Sequence, residues 1–217
     1  MYIEKPYKIT YDTEKYPFRE IISKMLEIYN VNIPIEYIHT LKHYDLLVRK
    51  NDQSTIWHKM YYEKYNTHFL PKYLELITEL KHRFGYDEII YQSIPTIRVQ
   101  LANGNLGVGE WHKDKTYNHG SSEVNFWMPF VNTNEYNTIW IESEEDKCDY
   151  EPYLVNYGEI LVFNGANLYH GNKNNDSSES RISVDFRLVD PVKFIPNEAG
   201  SINMKSKFDI GGYFNKI

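Results

Sequence analysis

Gly85 divides the chain into two halves whose apolar residues recur with different periods. From about Pro17 to Phe84 they return at helical spacing, which lays one stripe along each helix. "FREIISKMLEIYN" puts Ile21, Ile22, Met25, Leu26 and Tyr29 on one face. "IPIEYIHTLKHYD" and "STIWHKMYYEKY" repeat the habit, and "PKYLELITELKHRFG" ends on a helix-stopping glycine, so three or four helices are expected. Beyond Gly85 the period is two. "DEIIYQSI", "PTIRVQL", "EVNFWMPFV", "NTIWIES", "EPYLVNYG", "EILVFNG" and "SRISVDFRLVD" are short, rich in β-branched and aromatic residues, and bounded by Gly, Asn, Asp or Pro.

Helices first and strands later predict an α+β chain rather than alternating βαβ units. Seven or eight short strands with turn residues between them predict a β-sandwich or a jelly roll (a cupin-like double-stranded β-helix), with the helices packed on its outside. The 217 residues suit one domain. Residues 1–85 read as a helical buttress, 86–190 as the jelly-roll core, and 191–217 as a Gly- and Asn-rich tail over the surface. The single cysteine, Cys148, excludes a disulfide framework and a cysteine-only zinc site and suits a reducing compartment. A formal charge of −6 with both signs interspersed argues against a nucleic-acid partner, since phosphate binding needs a concentrated basic face. No apolar run approaches the roughly 20 residues that cross a bilayer, and no basic-then-apolar leader opens the chain. A soluble, cytoplasmic protein is expected.

The chemistry-bearing stretch is "VGEWHKDKTYNHG", residues 108–120. His-x-Asp alone is weak, and a charged turn is its ordinary explanation. On an extended backbone, however, His112 and Asp114 share a face, with Lys113 pointing away. One imidazole and one carboxylate on one face can both bind a small cation, and a facial N/O set suits iron(II). A third ligand is expected from a distant strand, and His170 in "FNGANLYHGNK" is the candidate. His119 reads first as an exposed loop histidine and second as a substrate contact. His39, His43, His58, His68 and His82 fall on the expected helices as surface or capping residues. Downstream, Arg181 and Ser183 share a strand face, and a guanidinium beside a hydroxyl makes an anion site. The anion is either a protein carboxylate such as Asp185 or a bound dicarboxylate.

The complete pattern is His-x-Asp, 55 residues, His, ten residues, Arg-x-Ser. In this it resembles the iron(II)/2-oxoglutarate-dependent oxygenases, over roughly residues 94–190. Within them it is most similar to the phytanoyl-CoA-hydroxylase-like branch, and there to small proteins associated with streptomycin biosynthesis. The resemblance implies that His112, Asp114 and His170 hold iron(II), leaving positions for 2-oxoglutarate and dioxygen. It implies that Arg181 and Ser183 hold the far carboxylate of 2-oxoglutarate. It also implies release of succinate and carbon dioxide, with hydroxylation of a small sugar-derived or secondary-metabolite substrate. Alternation in "PTIRVQL" sends Arg98 and Gln100 to one side, either ordinary surface or, as in the similar enzymes, Gln100 to the co-substrate and Arg98 to an acidic substrate group. In "EVNFWMPFV", Asn125 and Trp127 face the cavity, the amide for a carboxylate and the indole as a wall. Trp140 reads as core, and Thr138 as a possible pocket hydroxyl; residues 115–122 read as a lid or a plain connection. Two other functions fit parts of the pattern: a non-redox cupin-like domain that binds or isomerises a sugar, and a hydroxylase of protein side chains.

Overall fold

The computed structural model describes residues 3–41, 53–103, 111–201 and 206–217. Its organising element is the nine-residue strand β9 (Arg181–Val189), long enough to pair with three other strands. One edge takes β4 (Val124–Pro129), with Trp127 opposite Asp185 and Asn125 opposite Arg187. The other edge is shared by β3 (Thr96–Gln100), which pairs residues 181–185, and β2 (Ile90–Gln92), which pairs residues 188–189. Beyond β4 lies β7 (Glu159–Phe163). The seven-stranded sheet is completed by β1 (Tyr7–Thr10) beside β7 and β12 (Phe214–Lys216) beside β2. A second sheet of three short strands, β5 (Ile139–Ile141) between β6 (Glu151–Tyr153) and β8 (His170–Gly171), makes the opposing layer of the jelly roll. The strands β10 (Asn197–Gly200) and β11 (Lys207–Phe208) form a separate pair.

Period-two alternation gives the large sheet two unlike faces. Ile97, Val99, Phe126, Met128, Val162, Ile182, Val184, Phe186 and Leu188 point to one side and join the main core. The helices cover that side. Helix α1 (Phe18–Met25) buries Phe18, Ile22 and Met25. Helix α2 (Ile56–Lys64) runs through a π turn at Tyr65–Phe69 into α3 (Leu70–Arg83). The tyrosines of this helical run do more than fill space: the hydroxyls of Tyr61, Tyr65 and Tyr73 donate to the carbonyls of Pro95, Ser93 and Gln92 at 3.2, 2.8 and 2.8 Å. Three hydrogen bonds on neighbouring carbonyls fix the β2–β3 connection, and with it Gln92 and the start of β3. Gly85 stops α3 as expected. Its φ is +73°, its N–H donates to the His82 carbonyl and the Tyr86 N–H to Lys81, both at 3.0 Å, the Schellman pattern that glycine makes easy.

Several expectations need correction. The first 85 residues are not wholly helical, because β1 is an edge strand of the large sheet; four residues with one buried position give too little alternation to read. The region around Ile35 forms a 3₁₀ turn, Ile35–Thr40, rather than an α-helix, and Tyr29 is 67% exposed instead of lying on the buried face. The rest of that segment, with His43, lies outside the described residues. Residues 191–217 do not simply wrap the surface, since β12 is a sheet member and Phe208, Tyr213 and Phe214 pack with Ile90 and Val189. His58 is buried, with its Nδ1 2.7 Å from the Thr55 hydroxyl, although it lies on a helix as expected. Trp140 is not core. It stands on the outer side of β5, with Nε1 donating to the Glu135 carbonyl and the Lys173 ammonium over its ring. Thr138 donates to the Tyr153 carbonyl, which spends its hydroxyl inside the small sheet.

Candidate metal centre

Two backbone hydrogen bonds bring together the two histidines picked out by spacing. His112 and His170 form an antiparallel bridge, each N–H donating to the other's carbonyl at 3.0 Å. Lys113 is extended, and the chain then turns into a short 3₁₀ helix at Asp114. The Asp114 N–H meets the Gly165 carbonyl at 2.9 Å, which ties the turn to the end of β7. His112 Nε2 lies 3.2 Å and His170 Nε2 3.5 Å from the same oxygen, Asp114 Oδ1. Among the described residues, these three form a group whose ligand atoms all lie within 4.8 Å of one another.

The donor set fits a divalent iron on chemical grounds. His170 Nδ1 is 2.9 Å from the Leu168 carbonyl, which can only accept, so the proton sits on Nδ1 and Nε2 presents a lone pair. A backbone carbonyl holding the second ring nitrogen is the usual way a ligand imidazole is oriented. Burial alone would raise the Asp114 carboxyl, but the Arg187 charge, with the His112 and His170 imidazoles beside Oδ1 acting in the same direction, outweighs it and holds it well below the usual range. Asp114 is therefore an anion while 3% exposed.

Asn125 departs from its expected role. Its amide donates to Asp114 Oδ2 at 2.7 Å, a protein carboxylate where one of the co-substrate was expected. Gly165 makes that possible, since a Cβ there would stand 2.5 Å from Asn125 Nδ2. Arg187, which sequence reasoning passed over, is the second partner of Asp114 Oδ2, through Nη2 at 2.7 Å and Nε at 3.2 Å. The signal for it was present: Arg181, Ser183, Asp185 and Arg187 share one parity of β9.

One cavity brings His112, Asp114 and His170 together with Arg98, Trp127 and Arg181. Arg181 is 1% exposed, its Nη1 donates to the Asn137 carbonyl at 2.8 Å, and its guanidinium carbon lies 5.3 Å from the Trp127 ring centre. Ser183 Oγ is buried with no hydrogen-bond partner among the described residues, and so is Gln100 Oε1, whose amide donates to the Lys173 carbonyl. Asp185 is engaged by Arg98 at 3.0 Å and Arg187 at 3.4 Å. Arg98 thus reaches a protein carboxylate, where an acidic substrate group was expected.

His119 is neither exposed nor at the metal cavity. Its side chain is 9% exposed, Nδ1 lies 2.6 Å from Glu123 Oε2, and the ring packs on Phe208 and Tyr213. It lines a different pocket, beside Lys193–Asn197, because the C-terminal segment folds over it. That segment also accepts from Ser122 at Lys193 and donates to Asn118 from Asn197, so residues 115–122 are held at their middle and at their C-terminal end. Lys113 points away from the cavity as expected but is buried, its ammonium 2.5 Å from Asp146 and 3.2 Å from Glu145.

No family model matches the chain. It is 40% identical over 172 residues to the streptomycin biosynthesis protein StrG of Streptomyces griseus, an alignment covering 78% of this chain and 80% of StrG. Among solved structures it is similar in fold to the non-heme monooxygenase ThoJ as its nickel complex. There the TM-score is 0.51 at 13% identity, covering 92% of this chain and 80% of ThoJ. EvdMO1 is comparable, with a TM-score of 0.52 at 14% identity over 87% of this chain and 48% of EvdMO1. No helix among the described residues is long and apolar enough to cross a membrane.

Proposed function

The chain belongs to the family of the streptomycin biosynthesis protein StrG, and from that premise we propose that it is an iron(II)- and 2-oxoglutarate-dependent oxygenase of small molecules. The observation that carries the reading is the pairing of the His112–Asp114–His170 triangle with Arg181 in one cavity between the sheets. A metal triangle alone suits many reactions. A buried guanidinium facing the same cavity adds a seat for the remote carboxylate of a dicarboxylic co-substrate.

In this reading His112, Asp114 and His170 hold the iron, and Arg181 with Ser183 holds the far end of 2-oxoglutarate. Bound iron would supply dioxygen activation coupled to decarboxylation of 2-oxoglutarate to succinate and carbon dioxide, ending in hydroxylation of a substrate C–H bond. The protein's own share is positional. His170 keeps its proton on Nδ1, Asp114 stays ionised, and Arg181 orients a dianion by a planar fork. Trp127, Ile139 and Phe163 line the cavity and limit water around the reacting groups. Gln100 keeps its place as a further contact to the co-substrate, on the strength of its buried oxygen, which has no partner among the described residues. Arg98 and Trp127 form the part of the wall left for substrate. The name of StrG, a streptomycin biosynthesis protein, supports a substrate from secondary metabolism, a sugar derivative among the choices. The residue pattern supports the phytanoyl-CoA-hydroxylase-like branch, and the single cysteine supports a cytoplasmic setting.

Calorimetry with manganese(II) as a redox-silent stand-in tests the assignment. The metal-loaded protein is expected to bind 2-oxoglutarate saturably, and the metal-free protein to bind it far more weakly. Binding indifferent to the metal, or none at all, contradicts the proposal.

A further inference from the structure

Arg187 lines the cavity beside the metal triangle, and the reading above gives it no role beyond the charge that keeps Asp114 ionised. We propose that Arg187, assisted by Asn125, is a positioning residue that keeps Asp114 a one-oxygen ligand and so preserves open metal positions. The inference rests on His112, Asp114 and His170 being the metal ligands.

The geometry is unusual for an Arg–Asp pair. Left to itself, such a pair prefers two parallel hydrogen bonds, one to each carboxylate oxygen. Here both Nε (3.2 Å) and Nη2 (2.7 Å) of Arg187 point at Oδ2 alone. Asn125 Nδ2 adds a third donor to the same atom at 2.7 Å. Three donors leave Oδ2 with no lone pair to spare for a metal. Oδ1 faces the other way, toward His112 Nε2 and His170 Nε2. The carboxylate is thus divided into one oxygen for the protein and one for the cation.

Arg187 is itself held so that this division persists. Its remaining nitrogen, Nη1, donates to Gln92 Oε1 at 3.1 Å and to the Tyr213 hydroxyl at 3.0 Å, and sits 3.4 Å from Asp185 Oδ2. Glu123 Oε2 is 3.6 Å from Nε. The anchors come from β2, β9, the 119–123 turn and the C-terminal segment, so the guanidinium cannot swing without breaking contacts to several elements. Burying this charge is tolerable because three carboxylates face it. Charge balance would be satisfied by any orientation; the aim of two N–H groups at Oδ2 is what a positioning role needs. If Asp114 turned to chelate through both oxygens, one position that 2-oxoglutarate or dioxygen requires would be filled.

Cobalt(II), whose visible spectrum reports coordination number, tests this in the metal-free full chain. Arg187→Lys keeps the charge and gives up the two-pronged grip; Asn125→Ala removes the third donor. For Arg187→Lys we expect cobalt(II) affinity to fall about 10–100-fold, as loss of an outer partner of a ligand does. The cobalt spectrum should change, and 2-oxoglutarate should no longer perturb it as in the wild type. Asn125→Ala should shift both in the same direction by less, and it decides the matter should Arg187→Lys fail to fold. Variants that melt lower without metal yet bind cobalt(II) with wild-type affinity and spectrum would overturn the positioning role and leave the metal assignment standing. A wild type that binds no cobalt(II) would instead sink the metal assignment itself.

Discussion

The two faces of β9 lie on one backbone and have opposite chemistry. Ile182, Val184, Phe186 and Leu188 point toward the helices into a dry core, where each is fully buried and the requirement is volume. Arg181, Ser183, Asp185 and Arg187 point toward the cavity side, where Arg181, Ser183 and Arg187 are buried and the requirement is a partner for each charge. The difference teaches how stability and function divide here. The helix-facing side holds the sheet together, and the site-facing side uses that rigidity to keep charged groups aimed.

Substitutions that hit one face should leave the other's property intact. The largest effect is expected from Phe186→Ala. Phe186 stacks on Phe126 at 5.2 Å and meets Tyr73 edge-on at 5.3 Å. Its loss should cost about 3–5 kcal/mol of stability in denaturant unfolding, with metal affinity of the folded fraction unchanged. Arg181→Ala should do the reverse: 2-oxoglutarate binding weakens by on the order of 2–4 kcal/mol in calorimetry while metal affinity holds. Equal losses of both would mean a damaged fold rather than a lost anchor.

Gly165→Ala probes the junction of the two faces at the end of β7. The added methyl would stand 2.5 Å from Asn125 Nδ2 and push the amide off Asp114. A stability loss of about 1–3 kcal/mol and metal binding weakened by about tenfold are expected, read by melting and cobalt(II) titration. The smallest effect belongs to Lys113→Ala. Lys113 lies between two candidate ligands in sequence but on the opposite side of the chain, against Glu145 and Asp146. It should cost about 1 kcal/mol of stability and leave metal affinity alone. A clear loss of metal binding would show that the two sides are not separate.

Much of this division was legible in the sequence. Period-two alternation found β3, β4 and β9 and sorted Asn125, Trp127, Arg181 and Ser183 onto the cavity side, because a strand's parity is set locally. The candidate metal group was named from spacing together with the family resemblance, and the bridge between His112 and His170 needs only two strand ends to meet. What was not legible depends on distant approach. The donation from Asn125 to Asp114 requires the turn at Gly165 to come close, and nothing near Asn125 in sequence announces it. Burial of His119 depends on Phe208 and Tyr213, about ninety residues on. The strands β1 and β12 are too short for alternation to speak. Arg187 is the instructive case, because its parity was readable and only its partner was not.

The most direct measurement is anaerobic titration of the metal-free protein with iron(II) and then 2-oxoglutarate, followed by visible absorption. The weak charge-transfer band of the iron–2-oxo-acid chelate should appear in the wild type and vanish in His112→Ala. No band in the wild type, or an undiminished band in His112→Ala, would contradict the account.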